Sequence, residues 1–406
     1  MSQQTIVLAL FFSTIPALAC AQNAPPPAPV IDAGSIDAGE TSDAGQGLPP
    51  IVRTSSAATP DDIARFLAGL PGTPGSPLVA LEQSPAFIQH AKELDALWQK
   101  LGENRLNRMR AWSAQEIEPR IHPKLPLVYI FGGPDAITTD VVYPEAPIYV
   151  LAGLEQLGGV PALEKETPEK LARGLSALRT SLRSTVDLSF FITSEMSKEL
   201  GRTEIRGVLP VMYLFLVRNG ARILDMERLY IDPQGNLQPA KNDGSKEGTP
   251  KNGVPALHIR FQRADGSTHD LYYFRQDLTN DLIPGRPGMF RFLERLGSVN
   301  AFLKAASFIL HDKRFSITKK YLLEHSASIL QDDSGIPYKA LANPTFALTY
   351  FGEYTPSRKV FKDHFQEDMK AAFEKAGARP LPFDTGYKHV QGSNLILAVR
   401  TSTGAR

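Results

Sequence analysis

The sequence predicts an α+β fold: one large domain, with a mixed or mainly antiparallel sheet and flanking helices. Three observations carry that expectation. Short apolar runs bounded by Gly and Pro, such as Leu125–Phe131 and Ala146–Leu154, recur among segments with helical spacing. Helices and strands alternate without strict β-α-β order. Asp265-Gly266, a turn signal, separates two strand-like runs and marks a hairpin. Composition agrees, because 42% apolar and 21% charged residues in a chain of 406 fit neither a wholly disordered nor a polytopic protein.

The N-terminus reads as an address. Ile6–Ile15 is apolar but far shorter than the roughly 20 residues a membrane-spanning helix needs. Ala17-Leu18-Ala19 follows with the small-x-small pattern of a secretory cleavage site, so residues 1–19 are expected to be a signal peptide. Cys20 comes next and resembles the acylated cysteine of a bacterial lipobox, with Ala17 where Leu is usual and Leu18 where a small residue is usual. Cys20 is therefore the expected lipidation site, and the expected location is a bacterial membrane, at the outer membrane or cell surface. The alternative is a soluble periplasmic or secreted protein. Residues 20–58 read as a disordered tether: Pro25-Pro26-Pro27 is stiff, and three Asp-Ala-Gly repeats carry too little apolar surface to offset the entropy of ordering.

Residues 59–406 are expected to fold. Thr59-Pro60-Asp61-Asp62 is a helix start. Phe87–Trp112 has helical spacing, with Gly102 as its expected interruption. Leu125–Phe131 and Ala146–Leu154 read as buried strands around a short helix, Asp135–Tyr143. Thr167-Pro168-Glu169 opens a helix whose Leu171, Leu175, Leu178 and Leu182 share a face. Val208–Val217 is a buried core helix. Ala221–Ile231, Ala256–Gln262 and His269–Phe274 are strands, and 233–254 is a long loop. Met289–Leu296 and Ser298–His311 read as helices, the second on the spacing of Phe302, Ala305, Ala306, Ile309 and Leu310. Ser316 caps a helix to His325. Ser326–Leu330, Phe346–Phe351 and Asn394–Val399 are late strands, and Lys359–Ala376 is a surface helix.

Chemistry is less legible. Lys plus Arg is 44 against Asp plus Glu 43, so no nucleic-acid partner is expected. One cysteine excludes a disulfide framework and a multi-Cys metal site. There is no GxSxG, HExxH, Walker or GxGxxG motif. Ser316-Ile317-Thr318-Lys319 matches SxxK, without the partner motifs that would make it a nucleophile. His258, His269 and Asp270 share the hairpin, but nothing in their spacing fixes which way they face, and no metal site is assigned.

Two constellations stand out. Asp135 and Asp140 follow a buried strand behind Gly132-Gly133-Pro134, where acids can serve acid–base chemistry or simply cap a helix. Asp332-Asp333 follows another, where adjacent carboxylates raise one another's pKa unless a cation is near, or simply form a turn. Lys304 and His311 complete the candidate catalytic set of Asp135, Asp140, Asp332, Asp333, Lys304 and His311.

The strings GGPDAITTDVVYPEAPIYVLAGLE, GVLPVMYLFLVRNGARI, DLYYFRQDLTND, FLKAASFILH and ILQDDSGIPY together resemble an uncharacterised family of secreted or lipid-anchored bacterial envelope proteins. That family has no assigned activity, so the resemblance supplies no site residue and no cofactor. It implies that 120–400 behaves as one unit. The expected function is a tethered envelope protein with a binding or assembly role, its partners the membrane through the lipid anchor and an envelope protein or glycan. The alternative is a hydrolase-like envelope enzyme using the clustered Asp residues.

Overall fold

Leu127, Val128, Tyr129 and Ile130 are all buried, so both faces of their strand must be covered. The computed structural model, which describes residues 57–188, 198–240, 249–356, 359–388 and 392–401, shows how. The predicted signal peptide, Cys20 and nearly all of the tether lie outside the described residues.

Ten strands form one mixed sheet with helices on both sides. In chain order they are β1 (Leu127–Ile130), β2 (Ile148–Gly153), β3 (Arg222–Ile231), β4 (Leu237–Pro239), β5 (Val254–Gln262), β6 (Thr268–Arg275), β7 (Val299–Leu303), β8 (Ser326–Gln331), β9 (Phe346–Gly352) and β10 (Asn394–Arg400). Across the sheet the order is β4-β3-β5-β6-β2-β1-β7-β8-β10-β9. The five central strands, β6 to β8 in that order, are parallel. The wings are antiparallel. The fold is α+β, as the sequence predicts.

Alternation along each central strand divides the core into two layers. Leu127, Tyr129, Tyr149, Leu151, Tyr273 and Phe302 face one layer, with the helices Pro60–Leu67, Pro85–Leu101, Ala136–Val142, Pro168–Leu188 and Leu209–Arg218. Val128, Ile130, Val150, Ala152, Phe274 and Leu303 face the other, with the helices Gly288–Arg295 and Ser316–His325. The Leu171, Leu175, Leu178, Leu182 stripe is buried, each side chain contributing about 1.5–3 kcal/mol by leaving water. Thr59 closes a capping box with Asp62. All of Leu209–Val217 is buried, as expected of a core helix. No helix among the described residues is long and apolar enough to cross a membrane.

The structure corrects several expectations. Ser298–His311 is not a helix: Val299–Leu303 is the central strand β7, and only Ile309–His311 makes a single 3-10 turn. A strand buried on both faces is apolar at nearly every position, here all but Asn300, so its sequence lacks the strand alternation and also satisfies a helical template. The loop expected over 233–254 contains β4, paired with β3 through a turn in which Asp232 accepts from Gln234 and Asn236; residues 241–248 lie outside the described residues. Lys359–Ala376 is a kinked 3-10 segment, Lys359–His364, followed by a separate helix, Glu367–Ala376. Gly102 does not stop its helix, which continues through a π turn to Trp112. Ser316 is the first helical residue and not the cap, and its Oγ accepts from Asn280.

The topology also marks one place on the sheet. β1 lies between β2 and β7. The chain leaves β1 into a helix of one layer and reaches β8 from β7 through a helix of the other. The strand order therefore reverses between β1 and β7. In open sheets with parallel strands, ligands bind at such a reversal, in the crevice outside the carboxyl ends.

Candidate functional site

Four neighbouring parallel strands each run into a buried ionisable side chain at that carboxyl edge. β2 leads to Glu155, β1 to Asp135, β7 to Lys304, and β8 to Asp332 and Asp333; none is more than 6% exposed. Four of the six predicted site residues, Asp135, Lys304, Asp332 and Asp333, thus gather at one edge.

Asp135 caps the helix Ala136–Val142, accepting at Oδ1 from the Thr138 backbone N–H. Its Oδ2 accepts from Lys304 Nζ at 2.6 Å and from Tyr129 Oη at 3.1 Å. Lys304 also donates to Thr138 Oγ1 at 3.0 Å. The β1 loop folds back over the Tyr129 ring, and a Cβ at position 132 would collide with that ring, so Gly132 is required there. Beside this pair, Tyr273 Oη donates to Glu155 Oε2 at 2.5 Å.

Asp332 stitches the loops after β7 and β8 together. Its Oδ2 accepts from the Ala305 N–H at 2.8 Å, and its Oδ1 from the Ser334 N–H and hydroxyl. The Ala306 N–H donates in turn to Ser334 Oγ. Burial, and after it the adjacent Asp333 charge, push the Asp332 carboxyl up to about 6, against the hydrogen bonds that pull it down. Asp333 Oδ2 lies 3.1 Å from Lys388 Nζ.

Backbone strain concentrates here. Among the described residues, the non-glycine residues at positive φ are Phe131 (68°), Ala305 (52°), Ser307 (53°) and Phe308 (57°). All four lie in the loops leaving β1 and β7. Left-handed backbone at such residues is costly and persists only where the surroundings impose it, as happens at functional sites.

A segment returning from the C-terminal part of the chain covers the edge. Tyr387 Oη donates to Ala305 O at 2.9 Å and lies 2.5 Å from Ser307 Oγ. Burial holds the Tyr387 phenol up to about 12. An aromatic cluster continues outward, with Phe308 stacked on His364 at 4.6 Å between ring centroids and Phe361 4.9 Å from Tyr387. His311 belongs to this cluster, at 5.6 Å from His364, and not to the charged groups. Burial first, and His364 next, lower its pKa to about 4, so it is a neutral imidazole near pH 7, with Nε2 buried and unpartnered.

Asp140 lies at the other edge of the sheet. It is paired with Arg263, which follows β5 where β5 meets the start of β6, and it accepts from Asn219 Nδ2 at 2.8 Å. Burial raises its pKa despite Arg263. It joins three elements and has no contact with the carboxyl edge. His258 and His269 occupy opposite faces of the hairpin: His258 Nε2 meets Asp270 at 2.7 Å, while His269 Nδ1 lies 2.8 Å from Ala146 O. Among the described residues no group of three His, Cys, Asp or Glu is arranged to hold a metal ion.

Sequence reasoning missed Glu155, Tyr387, Lys388 and Asn394. Glu155 had a usable signal, an acid directly after the buried run Ala146–Leu154. Lys388 had none, because its place depends on a chain return that no local pattern encodes. The edge as built holds at Asp332 a carboxyl able to exchange a proton near pH 6, beside Asp333 and under a partly apolar cover. No protein-family model matches the chain, and neither a curated protein nor a solved structure matches it.

Proposed function

We propose that this chain is an exported protein of the bacterial envelope, held at a membrane through Cys20. Its folded body takes a small polar ligand at the carboxyl edge of the parallel strands and exchanges a proton with it through Asp332. This is the hydrolase-like alternative of the sequence reading with a narrower residue set: Asp332 as proton donor and acceptor, Lys304 and Lys388 as fixed charges, Asp135 and Tyr129 as the groups that position Lys304. The observation that carries it is a buried carboxyl whose pKa is raised towards neutrality, one strand from the reversal of strand order and hydrogen-bonded to the strained loop after β7. A screen of the purified full chain against ester, glycan and peptide substrates tests it. The expected hit has a pH profile inflecting near 6 and falls about 10²–10⁴-fold in Asp332→Asn, while His258→Gln on the far wing keeps its rate. No turnover of any substrate class, or a hit that survives Asp332→Asn, would sink it.

The second reading is binding or assembly without turnover, with an envelope protein or glycan as partner. One observation favours it: Asp135 with Lys304, and Asp333 with Lys388, are already ion pairs, an arrangement that holds a shape more readily than it drives a reaction.

A further inference from the structure

The three residues Gly386, Tyr387 and Lys388 enter the carboxyl edge one after another. Gly386, at φ 64°, presses its backbone against Asp332 so closely that a Cβ would collide with Oδ2. Tyr387 reaches Ala305 and Ser307. Lys388 extends to Asp333 and is 5% exposed. Its ammonium meets three kinds of group: the Asp333 carboxylate at 3.1 Å, the Thr355 carbonyl oxygen as hydrogen-bond acceptor, and the face of the Tyr354 ring, 4.2 Å from the centroid. Carboxylate, carbonyl and aromatic face together are the chemistry that recognises a desolvated ammonium group.

A buried ion pair is an expensive way to hold a loop. Well-packed apolar side chains of similar volume do the same work at equal or lower cost. The strap nevertheless presents a cation to a pair of adjacent acids. Lys304 is committed to Asp135, whereas Lys388 reaches from the strap to Asp333. A pair of adjacent acids attracts positive charge. A further acceptor is at hand: Asn394 is 2% exposed, its amide nitrogen lies 3.5 Å from Asp333 Oδ1, and its own Oδ1 is buried without a hydrogen-bond partner.

We propose that the strap Thr385–Lys388 is an intramolecular plug, and that the cage it fills, formed by Asp333, the Thr355 carbonyl and the Tyr354 ring, binds a ligand carrying a primary ammonium group. Lys388 is then the tethered competitor of that ligand, and binding requires the strap to leave. This inference rests on the carboxyl edge being a ligand site, but not on proton transfer at Asp332.

Calorimetric titration of the full chain with n-butylammonium chloride tests it, with n-butanol, tetramethylammonium and calcium at matched ionic strength as controls. Lys388→Ala, which empties the cage, is expected to bind butylammonium saturably and at least tenfold more tightly than the wild type. Asp333→Asn in that background should abolish binding. In the wild type, saturating butylammonium should accelerate hydrogen–deuterium exchange across 385–388. Lys388→Met keeps the stem and removes the charge, and serves as the fold control. The proposal is overturned if Lys388→Ala binds no amine while Lys388→Met melts like the wild type, or if butanol or calcium binds equally well. It is also overturned if the strap exchanges at an unchanged rate with amine bound. Unfolding of both Lys388 variants would make the lysine a structural cation and end the proposal. Turnover lost in Asp332→Asn with amine binding retained would separate this inference from the acid–base reading.

Discussion

Lys304 Nζ and Asp135 Oδ2 lie 2.6 Å apart, both side chains 2% exposed, and their contact bridges β1 and β7 where the strand order reverses. A buried pair of this kind contributes little over an apolar isostere, yet removing one partner strands the other charge in the core. Lys304→Met and Asp135→Asn are each expected to cost about 3–5 kcal/mol in urea unfolding. The double variant should lose clearly less than the sum, because neither charge is then orphaned. Additive losses would show that the two side chains do not act as a pair.

Gly386 is the second test of how the edge is assembled. Its positive φ and its contact with Asp332 both exclude a side chain. Gly386→Ala is expected to destabilise by about 1–3 kcal/mol and to increase proteolysis within 385–388. The exposed Gly266, also at positive φ, has open space around it. Gly266→Ala then carries the backbone cost alone, about 1 kcal/mol or more. Equal losses at the two positions would remove the argument that Asp332 requires close backbone approach.

Much of the sheet was legible in the sequence because its strands are short apolar runs between breakers. Leu125–Phe131 and Asn394–Val399 read correctly for that reason. β7 did not, because Val299–Leu303 is buried throughout and its residues also fit a helical period with Ala305 and Ile309. The candidate site was half legible. Asp135 and Asp332 stand directly after recognisable strands, so their place at a sheet edge followed from the strands themselves. Asp140 misled because it shares a helix with the Asp135 cap while facing the opposite edge. Ala305, Ser307 and Phe308 gave no sign of their left-handed backbone, since tertiary contacts and not glycine hold them there.

The expected anchor at Cys20 is tested on the mature protein from a bacterial host. Mass spectrometry should find residue 20 at the N-terminus, bearing a diacylglyceryl thioether. Cys20→Ser should move the protein from the membrane fraction to the soluble one. A free amine and unmodified thiol at residue 20 would exclude the anchor.

His90 and Asp332 give pH dependences of opposite sign. His90 Nε2 lies 2.8 Å from Leu67 O and Nδ1 lies 3.0 Å from Arg179 Nη1, an arrangement that suits a neutral imidazole. Burial, with the nearby Arg179 and Arg218 charges, lowers its pKa to about 4. The unfolded chain takes up this proton near 6.5, so the stabilisation is complete above that pH and is lost as pH falls towards 4. The whole shift corresponds to on the order of 3 kcal/mol. His311 is shifted the same way, so His90→Gln should remove only part of the fall in melting temperature between pH 7 and pH 4.5. Asp332 is raised from 3.8 to about 6, so the folded chain holds a proton that the unfolded chain has lost. Its contribution is complete below about 3.8 and declines as pH rises to about 6. Asp332→Asn should therefore steepen the rise in melting temperature between pH 4 and pH 6, while His90→Gln flattens it. Parallel profiles for both variants and the wild type would show that neither group titrates differently on folding.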